Sequence, residues 1–189
     1  MKSATSRPRF SDLSLRGKFL LMLAVLAIGI VALCTVTARR NHTELLQNER
    51  QQLQTRVGAA LGVIDRYQIL ARDGAMDEAT AKREALAAVA ALRSPGGSDY
   101  LWVNDQKPTM LMHPHQTALD GKYLGDQTSP DGKRIFVEMV KLARGPAGGG
   151  FLDYTWAKPG VDEPVEKISY VALYRPWGWV VGTGEYVDD

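Results

Sequence analysis

The sequence predicts an α+β fold: a five-stranded antiparallel sheet on a long N-terminal helix, preceded by one transmembrane helix. Three observations lead to this prediction. An uncharged apolar run occupies residues 19–38, a proline-free stretch with helical spacing covers residues 41–72, and five short runs rich in aromatic and apolar residues follow residue 99. Short runs joined mainly by short connections favour antiparallel pairing.

The apolar run at residues 19–38 is predicted to cross a membrane. It carries no charged side chain, and at about 1.5 Å rise per residue a helix of this length spans roughly 30 Å, the thickness of a bilayer core. Residues 1–18 are basic, with Asp12 as their one acid, so we expect them to be cytoplasmic and residues 41–189 to be extracytoplasmic. A signal peptide cleaved after Ala38 is the alternative, although the run is longer than the usual apolar core of such a peptide.

Two helices are predicted between the membrane and the sheet. In residues 41–72 the apolar side chains, among them Leu53, Val57 and Ile64, follow helical spacing. This stripe must be covered, either by the sheet of the same chain or by a second copy of the helix in a homodimer. A second helix is expected to begin after an N-cap at Asp77 and to run to Leu92.

The predicted sheet begins with a hairpin at Tyr100–Pro114. Alternation places Tyr100 and Trp102 on one face, and His113 lies where Pro114 must end the second strand. A helix is expected from the Asp131 region to about Arg144. The remaining strands are predicted at residues 151–157, 167–174 and 179–186, and Gly182 and Gly184 in the last one leave space for a ligand or another backbone.

Composition excludes several functional classes. The net charge is only +2, with the basic excess near the N-terminus, so no nucleic-acid-binding face is expected. Cys34 is the only cysteine, which excludes a disulfide framework. His113, His115 and Asp120 are too loosely spaced to predict a metal site. The chain has no nucleophile elbow and no paired carboxylates within a strand, so neither an enzyme nor a cofactor is predicted.

Several motifs of the sheet-forming half occur in a characteristic order: DYLWVNDQKPTMLMHP, LDGKYLGD, DGKRIFVEMVKLAR, GGGFLDYTWAKPG and KISYVALYRPWGWVVGTGEYVDD. In this order they resemble the single Cache domain of the second subtype (sCache_2), an extracytoplasmic sensor module of bacterial methyl-accepting chemotaxis proteins and sensor kinases. The resemblance covers residues 45–189. It implies a PAS-like antiparallel sheet on a long helix, usually dimeric, on the periplasmic side of the inner membrane.

The resemblance also implies a ligand and a wider architecture. Such domains commonly bind small organic acids such as acetate, propionate, lactate or pyruvate, so a C2–C4 carboxylate is the expected partner. Family receptors continue into a second membrane helix and cytoplasmic signalling helices, whereas this chain ends at Asp189. We therefore expect either a truncated receptor or a stand-alone anchored sensor. A ligand-free dimerisation or accessory module that partners a full-length receptor is the alternative function.

A small carboxylate in a partly dry pocket needs charge compensation and several hydrogen-bond donors. We expect His113 and Lys158 to supply positive or donor groups, with Arg93 as a further candidate. Aromatic side chains are expected to shape the pocket and to add neutral donors. The predicted ligand-binding residues are His113, Lys158, Tyr154, Tyr170, Trp102, Tyr100 and Trp156.

Overall fold

The computed structural model describes residues 14–93, 99–130, 132–158 and 164–187. Three α-helices, one short 3-10 helix and five strands lie within these residues. They are α1 (Leu15–Arg72), α2 (Glu78–Ala91), β1 (Leu101–Asp105), β2 (Met110–Met112), the 3-10 helix (Thr117–Leu119), α3 (Ile135–Arg144), β3 (Gly149–Ala157), β4 (Pro164–Tyr174) and β5 (Trp179–Tyr186).

The chain divides into two units, residues 1–48 and residues 49–189. In the first unit, the Leu15–Thr35 part of α1 is the one helical stretch within the described residues that is long and apolar enough to cross a membrane. Its large apolar side chains are exposed. This stretch overlaps the predicted span at residues 19–38, and most of the basic segment before it lies outside the described residues. Membrane insertion remains a prediction.

The second unit is built on one antiparallel sheet with strand order β2-β1-β5-β4-β3. The predicted five-stranded antiparallel sheet is therefore confirmed. Register along the sheet places Tyr154 of β3, Lys167 of β4 and Tyr186 of β5 in one row across three neighbouring strands. Because paired residues of antiparallel strands point to the same side, these three side chains share a face.

Helix α3 packs against the face of the sheet that carries this row. Its buried residues recur at helical spacing and form one core with side chains such as Trp102 and Val171. On the opposite face, α1 and α2 form a second core with Leu101 and Val181. Leu53, Val57 and Ile64 of α1 have no exposed surface. Between Val57 and Ile64 the stripe of α1 is thus covered by the sheet and α2 of the same chain, and a homodimer remains a prediction.

The element boundaries differ from expectation where glycine or proline obscured a strand. β3 begins at Gly149 rather than at Phe151, and β4 begins at Pro164 rather than at Lys167, because the two strands pair along their whole length. A Cβ atom at Gly149 would approach the carbonyl oxygen of Val171 to 2.5 Å. The absence of a side chain at Gly149 therefore allows this pairing.

Local side-chain hydrogen bonds fix the ends of two elements. Asp77 caps α2 as predicted, with its Oδ1 accepting from the backbone N–H of Thr80 at 2.9 Å. In the β1–β2 hairpin, Asp105 Oδ1 accepts from the N–H groups of Lys107 and Thr109 at 2.8 and 2.7 Å. This turn brings the residues after β2 alongside Tyr100.

Candidate ligand-binding site

A lysine lies at the centre of the layer between the sheet and α3. Lys167 is only 1 % exposed, although lysine is almost never fully buried without a partner. Its Nζ donates to Tyr100 Oη at 2.7 Å. The same atom lies 4.2 Å from the ring centroid of Tyr100, 4.4 Å from that of Tyr186 and 5.6 Å from that of Trp102. We call this group of residues, together with Tyr154 and His113 beside it, the Lys167 cluster.

The position of Lys167 changes its proton affinity. Burial lowers the pKa of its ammonium group to about 7, because removal from water disfavours the charged form. The aromatic rings attract the cation but do not neutralise it. Among the described residues no aspartate or glutamate forms an ion pair with it. An anion bound at Nζ would favour the charged form.

Further hydrogen-bond donors lie in the same layer. The indole Nε1 of Trp102 is buried and has no hydrogen-bond partner within the part of the chain that the structure describes. Tyr154 Oη and Ser169 Oγ are 3.0 Å apart, and the hydroxyls of Tyr100 and Tyr186 are 3.4 Å apart. Because buried polar groups are nearly always hydrogen-bonded, the indole N–H of Trp102 is a donor whose hydrogen-bonding capacity is unused among the described residues.

His113 is held as a neutral donor. Its Nδ1 accepts from the backbone N–H groups of Gln116 at 3.0 Å and His115 at 3.3 Å, so the ring proton is on Nε2. Asp120 Oδ1 accepts from the His113 backbone N–H at 2.8 Å and holds the residue in place. Burial, and then the nearby charge of Lys167, lower the pKa of His113 to about 4. At neutral pH His113 is therefore uncharged, and Lys167 is the cation of the cluster.

His115 also lies beside the cluster. Its ring meets the Tyr100 ring edge-on at 4.9 Å, and the His113 ring lies 5.0 Å from the same tyrosine. The Nε2 atom of His115 is buried without a hydrogen-bond partner among the described residues. Asp120 accepts a hydrogen bond from the backbone N–H of His113. The described residues contain no group of three or more histidine, cysteine or acidic side chains able to hold a metal.

The structure brings together most, but not all, of the predicted ligand-binding residues. Tyr100, Trp102, Tyr154 and His113 lie in the Lys167 cluster. Trp156 stacks edge-on against Phe136 of α3 at 5.8 Å and forms part of the core beside the cluster. Lys158 lies at the rim, with Nζ 5.6 Å from the ring centroid of Tyr186. Arg93 is exposed and lines a separate cavity on the other side of the sheet.

Tyr170 does not belong to this layer. It is three residues from Lys167 on β4, so the two side chains point to opposite faces. Its ring packs against Phe151 at 4.8 Å, and it borders the core formed with α1 and α2. The expectation that Tyr170 and Tyr154 face the same layer is therefore wrong.

Sequence reasoning missed Lys167, Ser169 and Tyr186. In β4 the prediction was based on the aromatic side chains Tyr170 and Tyr174, which point to one face of the sheet. Lys167, Ser169 and Val171 alternate with them and point to the other face. The available signal was a lysine in a strand phase that also carries Val165, Val171 and Leu173. That it meets Tyr154 and Tyr186 depends on strand register, which no local pattern specifies.

Gly182 and Gly184 of β5 leave space, as expected, and the nearest atoms in that space belong to side chains of the same chain. A ligand beside these glycines stays a prediction. A Cβ atom at Gly182 would collide with the Trp102 ring. One at Gly184 would collide with Ser169 Oγ and would lie 2.6 Å from Lys167 Cε. The two glycines therefore leave the room that the side chains of the cluster occupy.

A cavity of about 420 Å³ adjoins the cluster at the β3–β4 side. Tyr154 and Lys167 contribute to its wall, together with Lys133 of the loop before α3. Tyr100, Trp102 and His113 do not line it. The cavity thus borders the buried cluster without enclosing it.

Comparison with known proteins identifies the family of this domain. Residues 45–189 match the family model described as Single Cache domain 2. The chain is 40% identical over 178 residues to the methyl-accepting chemotaxis protein McpP of Pseudomonas putida, a match that covers 94% of this chain and 32% of that protein. It is 32% identical over 145 residues to the sensor histidine kinase MctS of Rhizobium johnstonii, covering 77% of this chain and 30% of the kinase. The chain therefore spans about a third of the length of these curated relatives.

Solved structures agree with this assignment. A structure described as the periplasmic sensor domain of a chemotaxis protein is 45% identical, with a TM-score of 0.72, and the match covers 76% of this chain and 98% of that one. A second, described as the structural basis for carboxylic acid recognition by a Cache chemosensory domain, is 40% identical, with a TM-score of 0.73 and coverage of 78% and 99%. The chain belongs to the Single Cache domain 2 family, whose members here include sensor domains of chemotaxis receptors and histidine kinases.

Proposed function

We propose that residues 41–189 are the extracytoplasmic ligand-binding domain of a membrane-anchored signal-transduction protein, and that the ligand is a C2–C4 carboxylate. The observation that carries this proposal is the buried ammonium of Lys167, which has a phenol but no carboxylate as its partner among the described residues. A buried charge without a counter-charge is costly. A small anion that entered the cluster would offset that cost.

The donors of the cluster match the needs of a single carboxylate. One carboxylate oxygen would accept from Lys167 Nζ as a charge-assisted hydrogen bond. The unpartnered indole N–H of Trp102 and the neutral donor Nε2 of His113 are available for the remaining lone pairs. The side chains of Tyr100 and Tyr154 would then pack against the short carbon chain of the ligand. Since the cluster has one cation, it compensates one negative charge.

The relatives support this choice of ligand and role. The solved Cache domain described as recognising carboxylic acids shares 40% of its sequence with this chain. The curated relatives are a chemotaxis protein and a sensor kinase. By analogy, the apolar Leu15–Thr35 stretch would anchor the domain in the inner membrane, with the domain in the periplasm and the signalling output in chemotaxis or kinase control.

The size of the ligand limits its affinity. A ligand of about 4–6 heavy atoms, at a ceiling of about −1.5 kcal/mol per atom, gains roughly −6 to −9 kcal/mol. This corresponds to a dissociation constant no tighter than about micromolar. Partial loss of the Lys167 proton near neutral pH lowers the observed affinity further, because the neutral fraction of the protein must take up a proton before it can bind the carboxylate.

Calorimetric titration of the full chain in detergent with acetate, propionate and pyruvate tests the proposal. We expect at least one of these acids to bind and to raise the melting temperature in a concentration-dependent way. Lys167→Met should weaken binding by about 100-fold or more, because it removes the partner of a buried charge. In the absence of ligand the same variant should melt at a higher temperature, because an apolar side chain replaces a buried ammonium.

Lys158→Met is the matched control, since Lys158 lies at the rim of the cluster. We expect it to retain affinity within about threefold, because Lys158 is only partly buried and lies outside the buried cluster. If none of the acids binds, the sensor proposal fails and the ligand-free dimerisation or accessory role takes its place. If an acid binds equally well to the Lys167→Met variant, the domain is a sensor but the Lys167 cluster is not its site.

A further inference from the structure

Arg56 of α1 has two acidic neighbours at different distances. Its Nη2 atom is 3.0 Å from Asp99 Oδ2, and its Nη1 atom is 3.9 Å from Glu185 Oε2. Nη1 of Arg56 and Oε2 of Glu185 are both buried, and neither has a hydrogen-bond partner among the described residues. The guanidinium is thus well paired with one acid and poorly paired with the other, although both lie within reach.

Both acids are direct sequence neighbours of tyrosines in the Lys167 cluster. Asp99 precedes Tyr100, and Glu185 precedes Tyr186 at the end of β5. In β5, successive residues point in opposite directions, so Tyr186 faces the cluster while Glu185 faces α1. Before β1, Tyr100 contacts Lys167 while Asp99 contacts Arg56. Thr183 Oγ1 also donates to the backbone carbonyl of Tyr100 at 2.8 Å and ties the two segments together. A displacement of either tyrosine therefore moves an acid beside Arg56.

A bound carboxylate would disturb these tyrosines first. Tyr100 Oη accepts from Lys167 Nζ at 2.7 Å and lies 3.4 Å from Tyr186 Oη. A carboxylate is a stronger acceptor for the ammonium than a phenol is. Ligand entry at Nζ would therefore compete with Tyr100 and change the bonding between Tyr100 and Tyr186.

There is room beside Arg56 for such a rearrangement. A cavity of about 390 Å³ adjoins its side chain and is also lined by Asp99, Tyr100 and Thr183. The buried α1 residues Val57 and Ala60 do not line this cavity. An element with two discrete arrangements, each favoured by a different state of a second site, is the physical basis of coupling between sites.

We propose that Arg56 changes its pairing between Asp99 and Glu185 when the Lys167 cluster takes up its ligand, and so transmits occupancy of the site to α1. The inference rests on the proposed carboxylate-binding function. It assigns Arg56 a coupling role outside the ligand-binding residues, so its loss should uncouple α1 from the ligand while leaving binding largely intact.

Hydrogen exchange of the full chain in detergent, with and without saturating propionate, tests this. In the parent protein we expect propionate to change amide exchange in residues 53–60 of α1 by about threefold or more, since exchange reports local opening. In Arg56→Gln and in Glu185→Gln this change should disappear, with calorimetric affinity for propionate retained within about threefold. Glu185→Gln keeps the Asp99 pair and therefore tests the idea even if Arg56→Gln does not fold.

Arg66→Gln is the control, because Arg66 is an exposed residue of the same helix, and it should behave as the parent does. Propionate binding that leaves α1 exchange unchanged in the parent would overturn the inference and leave the proposed function standing. A ligand-induced change that persists in both Arg56→Gln and Glu185→Gln would also overturn it. Absence of binding to acetate, propionate and pyruvate in the calorimeter would remove the proposed function and this inference together.

Discussion

Lys167 places a titratable cation where the ligand is expected, so binding should depend on pH. With its pKa lowered to about 7 by burial, Lys167 is charged below pH 7 and loses its proton above it. A carboxylate pairs with the charged form only, and the ligand itself is ionised above about pH 5. His113, whose pKa is about 4, stays neutral throughout this range.

We therefore predict that affinity for propionate changes little between about pH 5.5 and 6.5 and falls by about 50-fold between pH 7 and pH 9. The affinity falls as the pH rises because Lys167 must bind a proton before it can form an ion pair with the carboxylate. Calorimetric titration at each pH, in buffers of different ionisation enthalpy, measures both the affinity and the proton uptake. An affinity that is constant from pH 6 to 9, with no proton taken up, would contradict the assignment of Lys167 as the cation.

Candidate ligand-binding side chains of the hairpin could be predicted from the sequence. The side chains of other strands that they contact could not. Tyr100, Trp102 and His113 were predicted as ligand-binding residues because alternation and a strand-ending proline mark their positions. Lys167 was missed, and Tyr170 was placed in the wrong layer. Both errors concern β4, where the face that meets Tyr154 is determined by pairing with β3 across a loop that carries no register signal.

At the scale of secondary-structure elements, the glycines of β5 leave the space that side chains of the Lys167 cluster occupy. Gly184 of β5 faces Lys167 and Ser169, and a methyl group there would press on both. We predict that Gly184→Ala lowers the free energy of unfolding by about 1–3 kcal/mol, the usual cost of overpacking, and weakens propionate binding. Chemical denaturation and calorimetry measure the two effects.

Gly58→Ala provides the matched control for this substitution. Gly58 lies in α1, and a Cβ atom there would meet no atom within 4 Å. Alanine in a helix is favoured over glycine, so this variant should be more stable by up to about 1 kcal/mol and should bind normally. Equal stability and affinity of the Gly184→Ala variant and the parent would show that β5 does not constrain the cluster.

The helices and strands themselves were largely readable from pattern. The Asp77 cap and the alternation in β1 are local signals, and each predicted helix and strand has a counterpart among the described residues, although α3 begins at Ile135 rather than near Asp131. The starts of β3 and β4 were misplaced by two and three residues, because Gly149 and Pro164 are residue types that usually interrupt strands. Gly149 of β3 and Pro164 of β4 adopt strand conformation because β3 and β4 pair with each other, which is a tertiary effect.

At the scale of the whole molecule, we expect the N-terminal segment to determine the cellular location of the domain. The Leu15–Thr35 stretch has the length and composition of a membrane span. We predict that the chain, expressed in a bacterium, fractionates with the inner membrane, resists extraction by alkaline carbonate and keeps its N-terminal residues in intact-mass spectra. A soluble periplasmic product whose mass corresponds to cleavage after Ala38 would establish the signal-peptide alternative.

A structure of the chain crystallised with propionate tests the central claim most directly. The account predicts a carboxylate oxygen within about 3.2 Å of Lys167 Nζ, a hydrogen bond from the Trp102 indole to the ligand, and a Tyr100 hydroxyl displaced from the ammonium. Propionate bound elsewhere, for example beside Arg93 or at Lys158, with Lys167 still bonded to Tyr100, would contradict it.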